Sequence, residues 1–346
     1  MKNYYFSTKN NLLSIINDMN YKKYAIADIH LHLDGSLSSK VIIEVAKEEG
    51  IKLPTYCPCK LNKYLRVPKK CQSLNEYLER FDLPNLVLQT KNGLRKCSLD
   101  LLTRLAKQGL KYVEVRMAPQ LSTSQGLTQK EVVETLVETF GEANKFIRAN
   151  LILCLMRGDN THQANMETIK VAKEFYGKGV VAIDLAGAEA LFGNEMFQEE
   201  FKLAKKCKLP FTIHAGEAGG SDSVKSAIEM GASRIGHGIH SIDDKNVLEL
   251  LKKHEICLEI CPKSNLDTKT IKSYRELPLK QLKEAGVLVS INTDDMTVSN
   301  TELWKEYRTL SKLGFKENEL QEFALNTIDA AFISDAEKII LKKFIL

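Results

Sequence analysis

Two histidines one residue apart, His30 and His32, end an apolar run in the segment "DIHLHLDGS" and are followed at once by Asp34. In a β-strand, residues i and i+2 point to the same side, so both imidazoles would face one point in space. Imidazole nitrogens are common ligands of transition metals. If the segment is a strand, the pair predicts a metal site.

Other side chains capable of chemistry also stand where strand-like runs end: His214, Glu217, His237, His240, Asp294 and Asp295. Three histidines and a carboxylate from such a set would hold a catalytic divalent metal and leave a position for water. Nitrogen-rich ligands favour zinc, although ligand types alone also allow iron or cobalt. A lone histidine at a strand end is usually hydrogen-bonded within the core, which is the reading we adopt for His240 and His254.

The spacing of these residues suggests how they divide the chemistry. A metal-bound water has its pKa lowered toward neutrality and becomes a nucleophile. Glu217 lies three residues after His214 and is placed to donate a proton rather than to bind the metal. His237 could orient or deprotonate the water. Of Asp294 and Asp295, one can bind the metal and the other can face the substrate.

The end of the fourth strand-like run favours one metal over two. Binuclear hydrolases of this general kind often bridge their metals with a lysine at that position. The run ends "AIDLAGAE", and no lysine lies between Lys178 and Lys202.

Eight strand-like runs must position these residues, and they alternate with helical patterns. The runs cover residues 24–33, 110–119, 150–158, 179–187, 209–217, 233–239, 255–262 and 286–295. Between them, apolar residues recur at i, i+3, i+4 and i+7, which indicates helices. Repetition of strand, helix and strand predicts parallel pairing, and eight units predict a (β/α)8 TIM barrel of the α/β class. In a barrel the carboxyl ends of the strands converge, so the polar residues there would become neighbours.

Two intervals depart from the alternation. Residues 38–109 contain helical patterns around a Pro- and Cys-bearing loop, and we interpret them as a helical lid inserted after strand 1. Three helical patterns after residue 300 would pack outside the barrel or across its base. Residues 1–23 form an N-terminal extension, and the whole chain, 1–346, is predicted to be a single catalytic domain.

Composition and charge exclude several classes of protein. The chain has 346 residues, 44% apolar and 27% charged, as expected of a soluble protein with a large core. Its 49 basic and 44 acidic residues give a net charge of +5, and the lysines are scattered, so no nucleic-acid surface is indicated. The only apolar run in the first 24 residues, "LLSII", is too short for a signal peptide, and no later run could span a membrane. We therefore expect a cytoplasmic protein without a membrane partner, either a monomer or a homo-oligomer.

For the cysteines, and for three charged residues in or beside strands, we predict structural rather than catalytic roles. Cys154, Cys257 and Cys261 lie in apolar runs and are predicted to be free buried thiols. Cys57, Cys59 and Cys71 lack the paired C-x-x-C spacing of a structural zinc site. Three charged residues in or beside strands are predicted to form buried salt bridges rather than substrate contacts: Glu114, Arg116 and Arg157.

Seven motifs together resemble those of the adenosine deaminase family, part of the metal-dependent amidohydrolase superfamily. In chain order they are "DIHLHLDGS", "YVEVRMAP", "DLAGAE", "HAGE", "RIGHGIH", "CPKSN" and "NTDD". The resemblance extends from about residue 25 to the C-terminus, where "NTIDAAFIS" continues it. It implies hydrolytic deamination of adenosine, and of 2'-deoxyadenosine, to inosine and ammonia in purine salvage.

The resemblance also implies roles for single residues. One zinc ion per chain would be held by His30, His32, His214 and Asp294. Hydroxide would attack C6 of the purine while Glu217 protonates N1 and His237 positions the hydroxide. Asp295 would bond N7, and the backbone of Gly187 would meet N3, where glycine permits a close approach.

The same resemblance places the nucleoside's sugar and the cover over the site. Asp34 would hold the ribose 5'-hydroxyl, and Leu78 and Phe81 would belong to an apolar lid that excludes water. The chain departs from the family pattern at three positions: Ala188 replaces a common Asp, Met296 replaces a frequent Pro, and Lys263 stands where some members have an aromatic residue. These departures affect contacts at the rim rather than the proposed ligands or proton donor.

Other activities remain open at this point. Adenine deaminases of the superfamily typically carry Glu at the position of Asp34, and enzymes acting on adenosine monophosphate or its N6-methyl form differ there in other ways. Asp34 would repel a 5'-phosphate, which favours the free nucleoside. A cyclic-amide hydrolase on the same barrel is a further alternative. A zinc-binding scaffold without activity is disfavoured by the presence of both Glu217 and His237, and the H-x-E and P-C-x-x-C motifs of deaminases acting on single-stranded nucleic acids do not occur.

Overall fold

The computed structural model describes residues 21–346. It contains two four-stranded parallel sheets, one with the order β1-β2-β3-β4 and the other β5-β6-β7-β8. The strands are β1 Ala27–His32, β2 Tyr112–Met117, β3 Arg148–Met156, β4 Val180–Ala186, β5 Thr212–Ala215, β6 Arg234–His237, β7 Cys257–Ile260 and β8 Val289–Ile291. Seven of the eight predicted runs contain one of these strands with tighter bounds, and the run predicted over 150–158 overlaps β3, which begins two residues earlier, at Arg148. The predicted N-terminal extension, residues 1–23, lies almost entirely outside the described residues.

The two sheets contact each other at both edges. Ile183 of β4 forms an isolated parallel bridge with Phe211, just before β5. Leu31 of β1 forms another with Asp294, just after β8. At that second contact, His32 N donates to Asp294 O at 2.8 Å, and Asp294 N donates to His30 O at 2.8 Å. These backbone bonds bring the first and last strands side by side.

Helices fill the connections between the strands. Five lie between β1 and β2: α1 Ser39–Glu48, α2 Pro58–Leu65, α3 Leu74–Leu78, α4 Asp82–Leu86 and α5 Lys91–Gln108. Seven follow β2 to β7: α6 Gln129–Ala143, α7 His162–Phe175, α8 Gln198–Lys206, α9 Ser221–Glu229, α10 Lys245–Lys253, α11 Pro262–Asp267 and α12 Leu279–Glu284. Three more follow β8: α13 Leu303–Lys312, α14 Glu317–Ala330 and α15 Asp335–Lys342. No helix in the described part of the chain has the length and apolar character that a membrane span requires.

Helix α6 shows how local sequence and packing combine. It begins with a capping box, in which Thr128 and Glu131 satisfy each other's backbone amides. Val132, Leu136 and Phe140 recur at intervals of four and are all buried, so they form one face directed into the core. Burying each such side chain contributes about 1.5–3 kcal/mol. Removal of this apolar face would detach the helix from the sheet.

The strands are buried on both faces, and on β2 the two faces differ in chemistry. All six residues of β2 are buried. Val113 and Val115 alternate with Glu114 and Arg116, so period-two geometry puts the apolar pair on one face and the charged pair on the other. Charges on a buried face require partners there. Those partners lie beneath the site described below.

The cysteines are all free thiols, since each of the eight lies in the described residues and none is paired. Cys154, Cys257 and Cys261 are buried, which confirms the prediction from their apolar surroundings. Cys57 and Cys59 are exposed.

Candidate functional site

The carboxyl ends of β1, β5, β6 and β8 bring the predicted histidines and carboxylates together. Two of these residues have unusual backbone: His237 and Asp294 both have φ near +61°, in the left-handed region that non-glycine residues rarely adopt. Such conformations cost about 1–3 kcal/mol each and persist only where the surroundings enforce them. Their position at the carboxyl ends of β6 and β8 marks this region as a functional site.

Four side chains form a cluster suited to a metal ion. They are His30, His32, His214 and Asp294, and one ligand atom from each lies within 4.8 Å of the others. His30 Nε2 and His32 Nε2 are 3.2 Å and 3.3 Å from Asp294 Oδ1. His32 Nε2 is also 3.3 Å from His214 Nε2. His30 Nε2 is buried, and its 3.2 Å contact with Asp294 Oδ1 lacks hydrogen-bond geometry, so a ligand between the two atoms would satisfy both.

Buried carboxylates hold two of these imidazoles from behind. His30 Nδ1 is 2.7 Å from Glu259, and His214 Nδ1 is 2.9 Å from Asp184. Carboxylates in this position fix the tautomer and orientation of metal-binding histidines, with the other nitrogen directed at the metal. Three nitrogens and one carboxylate oxygen, backed in this way, fit zinc.

Arg116 connects the two supporting carboxylates. Its guanidinium lies 3.0 Å from Asp184 and 2.9 Å from Glu259, and it is fully buried. Glu259 also pairs with Arg234, which in turn pairs with Glu114. The predicted burial of Glu114 and Arg116 in salt bridges is therefore confirmed. Sequence analysis did not single out Asp184, Arg234 or Glu259, although each is a charged residue inside an otherwise apolar strand.

For Arg157, the predicted buried salt bridge is not found among the described residues. Its guanidinium donates instead to neutral acceptors. It bonds Phe192 O, Asn194 Oδ1 and His214 O, each at 2.6 Å. Arg157 lies just beyond the end of β3, outside the group of buried ion pairs formed by Arg116 and Arg234. Its acceptors are therefore oxygen atoms of neighbouring loops and of His214.

Replacing Arg116 by methionine is expected to lower the free energy of unfolding by about 3–5 kcal/mol, because Asp184 and Glu259 would remain buried without their shared counter-ion. Chemical denaturation followed by circular dichroism measures this change. Lys130→Met removes a surface pair with Glu174 and serves as the control, with an unchanged denaturation midpoint. Equal midpoints for both variants would show that the buried network does not stabilise the fold.

Glu217 and His237 lie next to the metal-binding cluster. His237 Nε2 is 3.5 Å from Glu217 Oε2 and 3.8 Å from Asp294 Oδ2. Burial, the charge of Asp294 and the charge of Glu189 raise the pKa of Glu217 well above its usual range. Burial lowers the pKa of His237. A carboxyl group with a raised pKa beside an imidazole with a lowered pKa suits proton transfer to a bound substrate.

Asp295 faces the same cavity and is held by a residue that sequence analysis missed. Tyr77, on α3, donates its hydroxyl to Asp295 Oδ2 at 3.0 Å. Burial and the charges of Asp294 and Asp34 raise the pKa of Asp295 well above its usual range. A Cβ atom on Gly35 would lie only 1.7 Å from Asp295 Oδ1, so a side chain there would displace the carboxyl group. Tyr77 precedes the predicted Leu78, but nothing in the sequence indicated a contact across more than two hundred residues.

A cavity of about 340 Å³ opens beside these groups. Its lining includes the predicted residues His32, Asp34, Leu78, Phe81, Gly187, His214, Glu217, His237, Asp294 and Asp295. It also includes residues that were not predicted: Leu74, Tyr77, Asp82, Asn85, Ala118, Leu121, Cys154, Met156, Arg157 and Ala186. Burial raises the pKa of Asp34 to about 6. The cavity lining therefore combines carboxyl groups, among them Asp34, Asp82 and Asp295, with apolar side chains such as Leu78 and Phe81.

The three departures from the family pattern have different surroundings. Ala188 lines the cavity. Lys263 pairs with Asp267 on the same short helix, α11. Met296 is buried, and its backbone amide donates to Ser36 Oγ at 3.1 Å. Of the three, Ala188 alone is among the residues that line the cavity.

A parallel α/β fold whose strand ends gather histidines, an aspartate and a buried carboxylic acid defines a metal-dependent hydrolase of the amidohydrolase type. The family model of adenosine deaminase matches residues 26–345. The chain belongs to the adenosine deaminase family.

Individual relatives agree with this assignment. An adenosine deaminase from Haemophilus ducreyi is 45% identical over 323 residues, covering 91% of this chain and 94% of that protein. An adenosine deaminase from Clostridium botulinum is 42% identical over 331 residues, covering 94% and 98%. Among solved structures, adenine deaminase from Arthrobacter aurescens superposes with a TM-score of 0.85 at 26% identity, covering 92% of this chain and 97% of that one. The N6-mAMP deaminase of Arabidopsis gives a TM-score of 0.81 at 26% identity, covering 93% and 98%.

Proposed function

We propose that this protein catalyses the zinc-dependent hydrolytic deamination of adenosine, and of 2'-deoxyadenosine, to the inosine product and ammonia in purine salvage. The observation that carries the proposal is the position of the buried Glu217 carboxyl group, whose Oε2 is 3.5 Å from His237 Nε2, beside the metal-binding cluster in one cavity. Two relatives named adenosine deaminase at 45% and 42% identity support the same reaction.

One zinc ion per chain would be held by His30, His32, His214 and Asp294. Bound there, zinc would supply Lewis acidity that lowers the pKa of a water molecule and makes it nucleophilic at neutral pH. The unsatisfied His30 Nε2 and the supporting carboxylates Glu259 and Asp184 favour this assignment.

The remaining chemistry belongs to the protein's own groups. As the oxygen of water bonds to C6, His237 accepts a proton from that water and Glu217 donates its own proton to N1. The proton held by His237 then passes to the amino nitrogen, and the new C6 hydroxyl returns a proton to Glu217. The C6–N6 bond breaks as the C6 carbonyl forms, which releases ammonia and leaves N1 protonated. His237 orients the attacking water through Nε2. N7 of the purine is only an acceptor, so Asp295 must carry a proton to bond it, and the raised pKa of Asp295 meets that requirement. The backbone of Gly187, with φ of +108°, would meet N3.

Asp34 lines the cavity and would bind the ribose 5'-hydroxyl. Its negative charge would disfavour a phosphate at that position. Leu78 and Phe81 would close over the purine and exclude water. We infer that residues 38–109 act as this lid.

We also infer that the two sheets form one closed (β/α)8 barrel within a single catalytic domain, with α13–α15 as additional helices. Support comes from the bridges between Ile183 and Phe211 and between Leu31 and Asp294, which join the sheets at both edges. Closure would explain why ligands from β1 and from the segment after β8 meet.

A panel of four purines tests the proposed function. We expect the zinc-loaded protein to convert adenosine and 2'-deoxyadenosine with kcat/KM at least about tenfold above adenine and adenosine monophosphate, a difference of about 1.4 kcal/mol. The loss of absorbance as the amino group leaves measures each rate. N6-methyl-AMP and a cyclic amide complete the panel, because two of the structural neighbours are adenine and N6-mAMP deaminases.

The outcomes separate the alternatives. Faster turnover of adenine or a nucleotide would reassign the substrate, and turnover of the cyclic amide alone would reassign the reaction. Zinc-loaded protein without activity on any purine would contradict the proposal. Asp34→Asn in the same panel should lower kcat/KM for adenosine, because asparagine is a weaker acceptor for the ribose 5'-hydroxyl. It should also reduce the ratio of kcat/KM for adenosine to that for adenosine monophosphate, because the charge that repels the phosphate is removed.

A further inference from the structure

The carboxylate of Glu189 accepts four hydrogen bonds from the segment that carries Glu217. Oε1 accepts from Gly216 N at 2.7 Å and from Ser223 Oγ at 2.6 Å. Oε2 accepts from Glu217 N at 3.0 Å and Ala218 N at 2.8 Å. Three consecutive amides directed at one anion form a nest. Glu189 follows β4 and is itself buried, so this nest is filled from a neighbouring loop.

The segment after β5 depends on this carboxylate for its conformation. Strand β5 ends at Ala215, so the next three amides have no partner in the sheet. Gly216 has a left-handed φ of +69°, which turns the chain sharply. A Cβ atom on Gly219 would lie 2.6 Å from Glu189 Oε1, so the loop wraps closely around the side chain. Buried amides without acceptors each cost about 1–3 kcal/mol.

The partners of Glu189 connect it to the rest of the site. Asn194 Nδ2 donates to Ser223 O at 2.9 Å, and Arg157 donates to Asn194 Oδ1 and to the His214 carbonyl, both at 2.6 Å. Burial opposes the charge of Glu189, but Ser223, backbone amides and the charge of Arg157 outweigh it and lower its pKa. An ionised carboxylate therefore anchors one continuous network from His214 to Ala218.

We propose that Glu189 is a positioning residue for the deamination reaction, which holds the backbone from Gly216 to Ala218 so that the Glu217 carboxyl group faces the substrate. This inference rests on the proposed function, in which Glu217 donates a proton to the purine. Without the anion, the three amides turn to other acceptors and the Glu217 side chain moves with them. A displacement of about 1 Å at a reacting group can lower a rate about 10²-fold.

Two substitutions separate positioning from general support of the fold. In Glu189→Ala, the nest stays open and a small carboxylate such as formate can enter it. In Glu189→Gln, the shape is kept, but the NH2 group must face at least one backbone N–H whichever way the amide is turned: Gly216 N on one side, or Glu217 N and Ala218 N on the other. Glu200→Ala is the matched control, because Glu200 is a buried carboxylate on α8 that bonds His162 outside the cavity.

The experiment measures adenosine deamination by the zinc-loaded full chain. For Glu189→Ala we expect kcat to fall about 10²-fold with KM little changed, because the loss is in proton transfer rather than in binding. Sodium formate should restore kcat saturably, whereas sodium chloride at the same ionic strength should not. Glu189→Gln should lose kcat without rescue, and Glu200→Ala should keep wild-type kcat and ignore formate.

Amide hydrogen exchange of the peptide that covers residues 212–220 gives a readout independent of turnover. Exchange should be faster in Glu189→Ala and slow again when formate is added. If Glu189→Ala does not fold, Glu189→Gln decides: a lower kcat with zinc retained supports the inference.

The results that would overturn the inference differ from those that would overturn the proposed function. Wild-type protein without adenosine deaminase activity contradicts the proposed function. Active wild-type protein with unchanged kcat in Glu189→Gln or Glu189→Ala contradicts the positioning role. So does a loss of kcat in Glu189→Ala that formate does not reverse while zinc is also lost.

Discussion

Glu217→Gln is expected to lower kcat for adenosine by about 10²- to 10⁴-fold while the protein keeps its zinc. The carboxyl group is buried, and burial together with the charges of Asp294 and Glu189 raises its pKa, which favours the form that can donate a proton. Glutamine preserves the shape and can still donate a hydrogen bond, but it cannot transfer a proton to N1. Steady-state kinetics together with metal analysis of the same sample measure both parts of the prediction.

Glu200→Gln provides the control for this variant. Glu200 is also a buried carboxylate, but it bonds His162 on the outer side of the molecule. Its replacement should leave kcat unchanged. Wild-type turnover in Glu217→Gln would remove Glu217 from the mechanism.

His30→Ala is expected to lose zinc and activity together. His30 belongs to the cluster of four proposed ligands and is fully buried, and alanine offers no ligand atom in its place. Changes to groups that merely support a ligand cost about 10- to 100-fold in metal affinity, so loss of a ligand should cost more. The variant should still fold, because Glu259 retains Arg116 and Arg234 as partners.

Zinc content after dialysis, and turnover with zinc added back, measure this prediction. His240→Ala is the matched control, since His240 is partly exposed and pairs with Asp243 away from the cavity. It should keep both zinc and activity. Full zinc content in His30→Ala would contradict the proposed ligand set.

The strands and the convergence of the polar residues followed from sequence because both depend on local patterns. Apolar runs identified all eight strands, and parallel geometry implied that their carboxyl ends meet. The supporting groups depend instead on register between distant strands. Arg116 reaches Glu259 across the space between the two sheets, and a single charge inside an apolar run does not indicate its partner.

Loop geometry was also beyond sequence analysis. The left-handed backbone of His237, the last residue of β6, and of Asp294, just after β8, accompanies contacts between distant segments, such as the bond from Asp294 N to His30 O. The contacts of Tyr77 with Asp295 and of Glu189 with the segment after β5 link loops that are distant in sequence. In each case the side chain is ordinary by composition, and its partner is fixed only by the complete fold.

The division of the proposed metal ligands between the two sheets has a consequence for how the protein matures. His30 and His32 belong to the first half of the chain, and His214 and Asp294 belong to the second. Neither half alone presents more than two ligands, so the metal would bind the assembled native state far more tightly than any partly folded chain. Zinc binding would then stabilise the native state against unfolding. A ligand that binds only the native state raises the free energy of unfolding with the logarithm of the free ligand concentration.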